Sequence, residues 1–197
     1  MKKAKDFNLK ILSIGGSIII PPTGFDVGFL KKFRELILGE VKKGQKFILV
    51  IGGGATCRNY QNAARQVVTM TDVDLDWLGI KTTIFNAEFV KCLFKGFVHD
   101  AVVVDPTKKI KTSKPIIIAA GWKPGCSTDK DAVLLAKTYG AKEVIKLRIK
   151  AYFDIRNYGF YTELQRRLAI SVAPYKIRSS VYPSGITVPP VSPSARQ

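Results

Sequence analysis

KFILVIGGGATCR, residues 46–58, joins an almost unbroken apolar run to three consecutive glycines and then to the start of a helical pattern. A strand that is apolar at nearly every position, rather than at alternate ones, suits burial on both faces, as in a parallel sheet covered by helices. Gly52, Gly53 and Gly54 follow that strand directly, and a helix is expected over residues 55–68. Sheets of this kind place ligands beyond the carboxyl ends of their strands. Without Cβ atoms the glycine backbone can approach a phosphate closely, and the free N–H groups at the helix start point their positive dipole end at the same anion. Arg58 falls in the first turn of the helix, where a guanidinium can hold phosphate oxygens bidentately.

Working outward, residues 8–14 alternate apolar and polar side chains and run into Gly15-Gly16-Ser17, after which Ile18–Ile20 and Pro21-Pro22 stop any continuation. The pattern predicts strand, glycine turn and breaker. Val27, Leu30, Phe33, Ile37 and Val41 lie on one face of a helix expected over residues 26–42 and ending near Gly44. A further helix is expected from about residue 74 to 95, with Leu75, Leu78, Thr82, Phe85, Phe89 and Leu93 at helical spacing. Strands are expected over residues 101–104, 115–119 and 143–147, and a helix over 129–138. Alternation of strand and helix predicts an α/β fold, a sheet flanked by helices.

Two strand ends therefore carry glycine clusters, and together they suggest one shared phosphate site; either alone reads as a tight turn. Neither matches GxxxxGK[ST] or GxGxxG, which disfavours the P-loop and Rossmann readings. A third cluster, Gly121-Trp122-Lys123-Pro124-Gly125-Cys126-Ser127-Thr128-Asp129, again follows an apolar strand and precedes a helix. Ser127 or Thr128 either caps that helix, with Asp131 completing a weak capping box, or binds a ligand; one hydroxyl can cap while its neighbour binds.

The 197 residues, 46% of them hydrophobic, suffice for one sizeable core with an appendage, and the chain is expected to be a soluble globular protein. No apolar run approaches the roughly 20 residues of a membrane helix, and Met1–Lys10 does not read as a secretory signal. Cys57, Cys92 and Cys126 are odd in number and widely spaced, which argues against a disulfide framework and a zinc site and for a reducing, cytoplasmic compartment. The single histidine, His99, reads as a turn residue. A net charge of +17 attracts polyanions, yet the lysines are scattered in pairs without the interleaved aromatics of a nucleic-acid platform. A basic surface around a nucleotide-phosphate site explains them equally well.

The order IGGS (14–17), VIGGGATCRNY (50–60), DWLGIKTTIFNAE (76–88) and GWKPGCSTDKDAVLLAK (121–137) resembles the uridylate kinase family, particularly its archaeal-type branch in the amino-acid-kinase superfamily. This resemblance, over about residues 9–147, implies a three-layer sandwich with a mainly parallel central sheet. It also implies transfer of the γ-phosphoryl group of ATP to UMP, with Mg2+, in a hexameric enzyme. It would give Gly15, Gly16, Ser17, Gly54 and Arg58 to ATP. Gly53 and Asp76 would go to UMP, Asp76 accepting from its ribose, and Trp122, Lys123, Pro124, Gly125, Cys126, Ser127 and Thr128 would wrap the UMP side. Many relatives place a lysine two residues before the GGS turn, where this chain has Ser13, so that charge must come from elsewhere or be missing.

The resemblance stops near Leu147, where relatives continue with a nucleotide-contacting segment resembling NIDYVYDKDP and this chain reads RIKAYFDIRNYGF. Residues 1–147 are expected to form an incomplete nucleotide- and UMP-binding domain. Residues 148–197, with eight basic against two acidic side chains and a Pro/Ser-rich end, are expected to form an atypical tail, disordered beyond about Pro174. Two other readings are a kinase of another small acid or phosphate and a non-catalytic nucleotide- or RNA-binding remnant.

Overall fold

In the computed structural model, residues 9–149 and 170–176 are described. The strand read from residues 46–58 is β2 (Lys46–Ile51), flanked by β1 (Leu9–Ile14) and β3 (Ile116–Ala119), with β4 (Glu143–Ile149) and β5 (Ile170–Lys176) beyond β1. The sheet order is β3-β2-β1-β4-β5. The first four strands are mutually parallel, and β5 runs antiparallel to β4. Register places Ser13 opposite Val50 on one side and opposite Lys146 on the other.

Both faces of the sheet are covered, as the apolar runs require. Leu12, Ile14, Phe47, Leu49, Ile51, Ile116, Ile118, Ile145 and Leu147 pack on one face against Leu30, Phe33, Leu36 and Ile37 of α2 (Val27–Lys42) and Ala87, Val90 and Phe94 of α4 (Asp72–Leu93) and its C-cap. The alternate positions Ile11, Ile48, Val50, Ile117 and Val144 face Ala132, Leu135 and Ala136 of α5 (Thr128–Tyr139). Period-two alternation of the strand side chains produces this division. At about 25 cal/mol per Å2 of apolar surface removed from water, these two layers are the main stabilisation of the fold.

The helix boundaries have local causes. Asp26 caps α2 by accepting from the Phe29 N–H at 2.8 Å. The helix α4 begins at Asp72, two residues before the expected start, because Thr71 and Asp74 form a reciprocal capping box that fixes the first turn. Its acids Asp72 and Asp74 and its terminal Lys91 match the helix dipole at each end.

Three expectations are corrected. The GGS segment is more than a turn: Gly16–Ile19 forms a one-turn helix, α1, before the prolines end it. The strand expected over 101–104 is reduced to isolated bridges, Val98 to Ile116 and Val103 to Ala119, beside β3. Between them the chain bends at residues 100–101, and Lys91 donates to the Asp100 carbonyl at 2.9 Å. Disorder beyond about Pro174 is not the pattern at residues 174–176, which complete β5 against Glu143–Ile145; the rest of that expectation, on residues 177–197, lies outside the described residues.

Candidate functional site

The three glycine-bearing loops meet at the carboxyl ends of β1, β2 and β3. Gly15 donates its N–H to Leu147 O at 3.0 Å and Gly52 donates to Ile14 O at 3.0 Å, so the loop after β1 is seated between the ends of β4 and β2. Gly16 then lies directly on the GGG turn. A Cβ built on Gly16 would stand 2.0 Å from Gly54 N and 2.6 Å from Gly52 O, which only a glycine avoids. Gly54 itself has φ +67°, in the left-handed region that favours glycine, and starts α3 (Gly54–Val67). Gly53 is the N-cap of α3 and offers no capping side chain, leaving the helix start to other acceptors. Arg58 Nη2 donates to Ser17 Oγ at 3.2 Å, joining the α3 residue to the first loop across 41 positions of sequence.

The third loop is held to α4. Thr83 Oγ1 accepts from Gly121 N at 2.9 Å, and Asp76 Oδ2 accepts from Gly125 N at 2.7 Å. Gly125 makes its turn at φ +75°. Trp122 lies under the ammonium of Lys123, 4.1 Å from the ring centroid. Ser127, and not Thr128, is the N-cap of α5, accepting from Lys130 N at 3.2 Å, which leaves Thr128 as the first residue of the helix. Asp131 does not close a capping box on Ser127; its Oδ2 accepts from the Trp122 N–H at 3.2 Å. Pro124 and Cys126 sit within the same turn, closed by Cys126 N to Lys123 O at 3.1 Å.

Four residues that sequence reasoning did not single out organise this cleft. Asn86 is fully buried on α4 and donates from Nδ2 to Gly52 O at 3.0 Å and Gly53 O at 2.9 Å, so the same helix that holds the third loop also holds the second. Thr83 is the other strap. Lys146 of β4 and Asp129 of α5 form an ion pair, and Ser13 Oγ donates to the same Asp129 oxygen at 2.5 Å. Lys146 Nζ lies 3.4 Å from Ser13 Oγ. Ser13 and Lys146 each lie two residues beyond Ile11 and Val144, so they share the α5 face.

Burial pushes the Asp131 carboxyl up to about 6, against a smaller opposing pull from the Trp122 N–H and the Lys130 charge. Its Oδ1 is buried without a hydrogen-bond partner. The folded carboxyl keeps its proton up to about pH 6 and the unfolded one releases it near the ordinary 3.8. The stabilisation is therefore complete below the lower value and lost as pH rises through the upper one. Asp131→Asn removes this dependence. We expect it to gain stability relative to the parent by about 3 kcal/mol on going from pH 3.5 to 7.5, the rise from 3.8 to about 6 taken at 1.36 kcal/mol per pKa unit. Urea unfolding of both proteins at the two pH values checks this, and parallel profiles would refute it. Burial also raises the Cys57 thiol, partly offset by the adjacent Arg58 charge.

Residues 8–148 match the sequence model of the amino acid kinase family. Uridylate kinase of Methanocorpusculum labreanum is 30% identical over 140 residues, covering 70% of this chain and 58% of that protein. Uridylate kinase of Methanosarcina mazei is 34% identical over 134 residues, covering 66% and 54%. The crystal structure of uridylate kinase from Archaeoglobus fulgidus superposes with a TM-score of 0.58 at 25% identity, over 68% of this chain and 60% of that one. That of UMP kinase from Bacillus anthracis, at 17% identity and a TM-score of 0.60, shares the fold. The chain spans a little over half the length of the curated relatives it matches. The family match takes in all three loops and the helix that straps them together, and the chain belongs to the amino acid kinase family.

Proposed function

We propose that the chain carries the phosphate and UMP half of a UMP kinase site, transferring the γ-phosphoryl group of ATP to UMP to give UDP. The observation that carries this reading is the convergence of three separate loops at the carboxyl end of the sheet, with Asp76 bonded to Gly125 across 49 positions of sequence. The match to uridylate kinases over 66–70% of the chain supports the choice of substrate.

In this reading Gly15, Gly16, Ser17, Gly54 and Arg58 receive the ATP phosphates. Gly53, Asp76 and the loop Trp122–Thr128, including Lys123, Pro124, Gly125, Cys126 and Ser127, receive UMP. The UMP phosphate is ionised at neutral pH and nucleophilic without a protein base, so catalysis rests on positioning and charge neutralisation. Magnesium enters this reading as part of the MgATP substrate. With Cys57, Cys92 and Cys126 as free thiols, we place the enzyme in the reducing cytoplasm; no helix of the described residues is long and apolar enough to cross a membrane. Exposed Tyr60, Trp77 and Phe85 on α3 and α4 support self-association into the hexamer that the resemblance implies.

Asp76→Ala should raise the KM for UMP at least tenfold while leaving the KM for ATP within threefold, read from UDP formation in a coupled assay. UMP-dependent turnover unchanged in the variant would remove Asp76 from the UMP site, and the absence of any turnover by folded parent protein would refute the reading for this chain.

A further inference from the structure

Lys146 is out of place for a residue serving stability alone. It interrupts the apolar run of β4 between Ile145 and Leu147, both fully buried, and its own side chain is only 14% exposed. Desolvating an ammonium costs several kcal/mol, and an ion pair seldom recovers more than that; a well-packed apolar residue would serve the sheet as well or better. The partner, Asp129, is half exposed in the first turn of α5, so the pair opens toward solvent on its Asp129 side. Next to Lys146 in the chain is Leu147, whose carbonyl accepts from the Gly15 N–H. The ammonium is thus one residue from the seat of the first glycine loop and beside buried Ser13, two residues before that loop.

Resting on the ATP-binding part of the proposed function, we infer that Lys146 is the cation at the cleft floor that binds the phosphate chain of ATP, with Asp129 and Ser13 orienting it. Arg58 reaches the first loop from the α3 side, through Ser17. Lys146 stands on the β4 side, against Ser13 two residues before the loop, so the two cations lie on either side of it. A lysine on β4 can do this because its register partner is Ser13 on β1, and both side chains project to the α5 face. The transfer step is unaltered in its balance. A UMP phosphate oxygen bonds to the γ-phosphorus as the bond to the β,γ-bridging oxygen breaks, and that electron pair leaves with ADP. Lys146 takes no part in the bond changes and contributes charge alone.

Calorimetric titration with MgATP and with adenosine tests the assignment on the full chain. Lys146→Met should weaken MgATP at least tenfold and leave adenosine within twofold. The transposed variant Ser13→Lys/Lys146→Ser, which moves the ammonium across the strand pair on the same face, should return MgATP affinity to within threefold of the parent. A merely structural Lys146 would not respond to that transposition. Lys146→Met binding MgATP within twofold of the parent, or a folded transposed variant no better than Lys146→Met, would overturn the inference. The expected pattern without any UMP phosphorylation would sink the substrate assignment and leave Lys146 standing; a parent chain that bound no MgATP would sink both.

Discussion

Gly16→Ala should lose about 3 kcal/mol of stability, at the upper end of what overpacking costs, and with it the nucleotide site. The methyl group has nowhere to go, because its nearest neighbours are backbone atoms: Gly54 N at 2.0 Å, Gly54 Cα at 2.5 Å and Gly52 O at 2.6 Å. Relief requires the two glycine loops to separate, and their contact is the feature that makes one site from two strand ends. Gly39→Ala is the internal control. Gly39 lies inside α2 with open space around a built Cβ, so alanine there should stabilise by about 0.5–1 kcal/mol through helix propensity. Urea midpoints of the two variants should move in opposite directions. A Gly16→Ala midpoint unchanged from the parent would show that the loops do not touch as described.

Asn86→Asp should have the second largest effect, about 3 kcal/mol of lost stability at pH 7.5, the scale of a buried polar group set against the wrong partner. The side chain keeps its size, but a donor to Gly52 O and Gly53 O becomes an acceptor facing two acceptors at about the same distances, 3.0 and 2.9 Å. The buried carboxyl will resist ionisation, so the loss should shrink toward pH 4, where a protonated oxygen can again donate one of the two bonds. Asn86→Ala, which leaves the carbonyls unpaired without opposing them, should cost less. Unfolding curves at pH 4 and pH 7.5 separate the variants; a loss for Asn86→Asp that does not depend on pH would argue against the two bonds as the cause.

Periodicity served well where a single element decides its own form. The unbroken FILVI run declared a strand covered on both faces, and the spacing Leu30, Phe33, Ile37 declared the face of α2 that meets the sheet. The glycine clusters were legible because glycine is required only where backbones or ligands approach closely, and Gly16 on Gly54 is such an approach. Asp76 was reachable only through family resemblance, since its link to Gly125 joins segments that no local spacing relates. Lys146 was hidden for a similar reason. In sequence it is a lysine in a strand 133 positions from Ser13, and only the adjacency of β1 and β4 makes them neighbours. Asn86 resembled any polar residue in an amphipathic helix until the GGG turn was placed against it. The strand expected over residues 101–104 shows the opposite error: β-branched composition promised a strand, and the bend at residues 100–101 left only isolated bridges.

The central claim is that the first two glycine loops and Arg58 make one phosphate-binding cleft at the carboxyl end of the sheet. Titrating MgATP into isotopically labelled protein and following the backbone amide resonances tests it directly. The structure predicts the largest shifts at Gly15, Gly16, Ser17, Gly54 and Arg58, saturating together with one dissociation constant. Saturable shifts confined to other residues, or amides of the two loops that respond with different affinities, would contradict a single shared site.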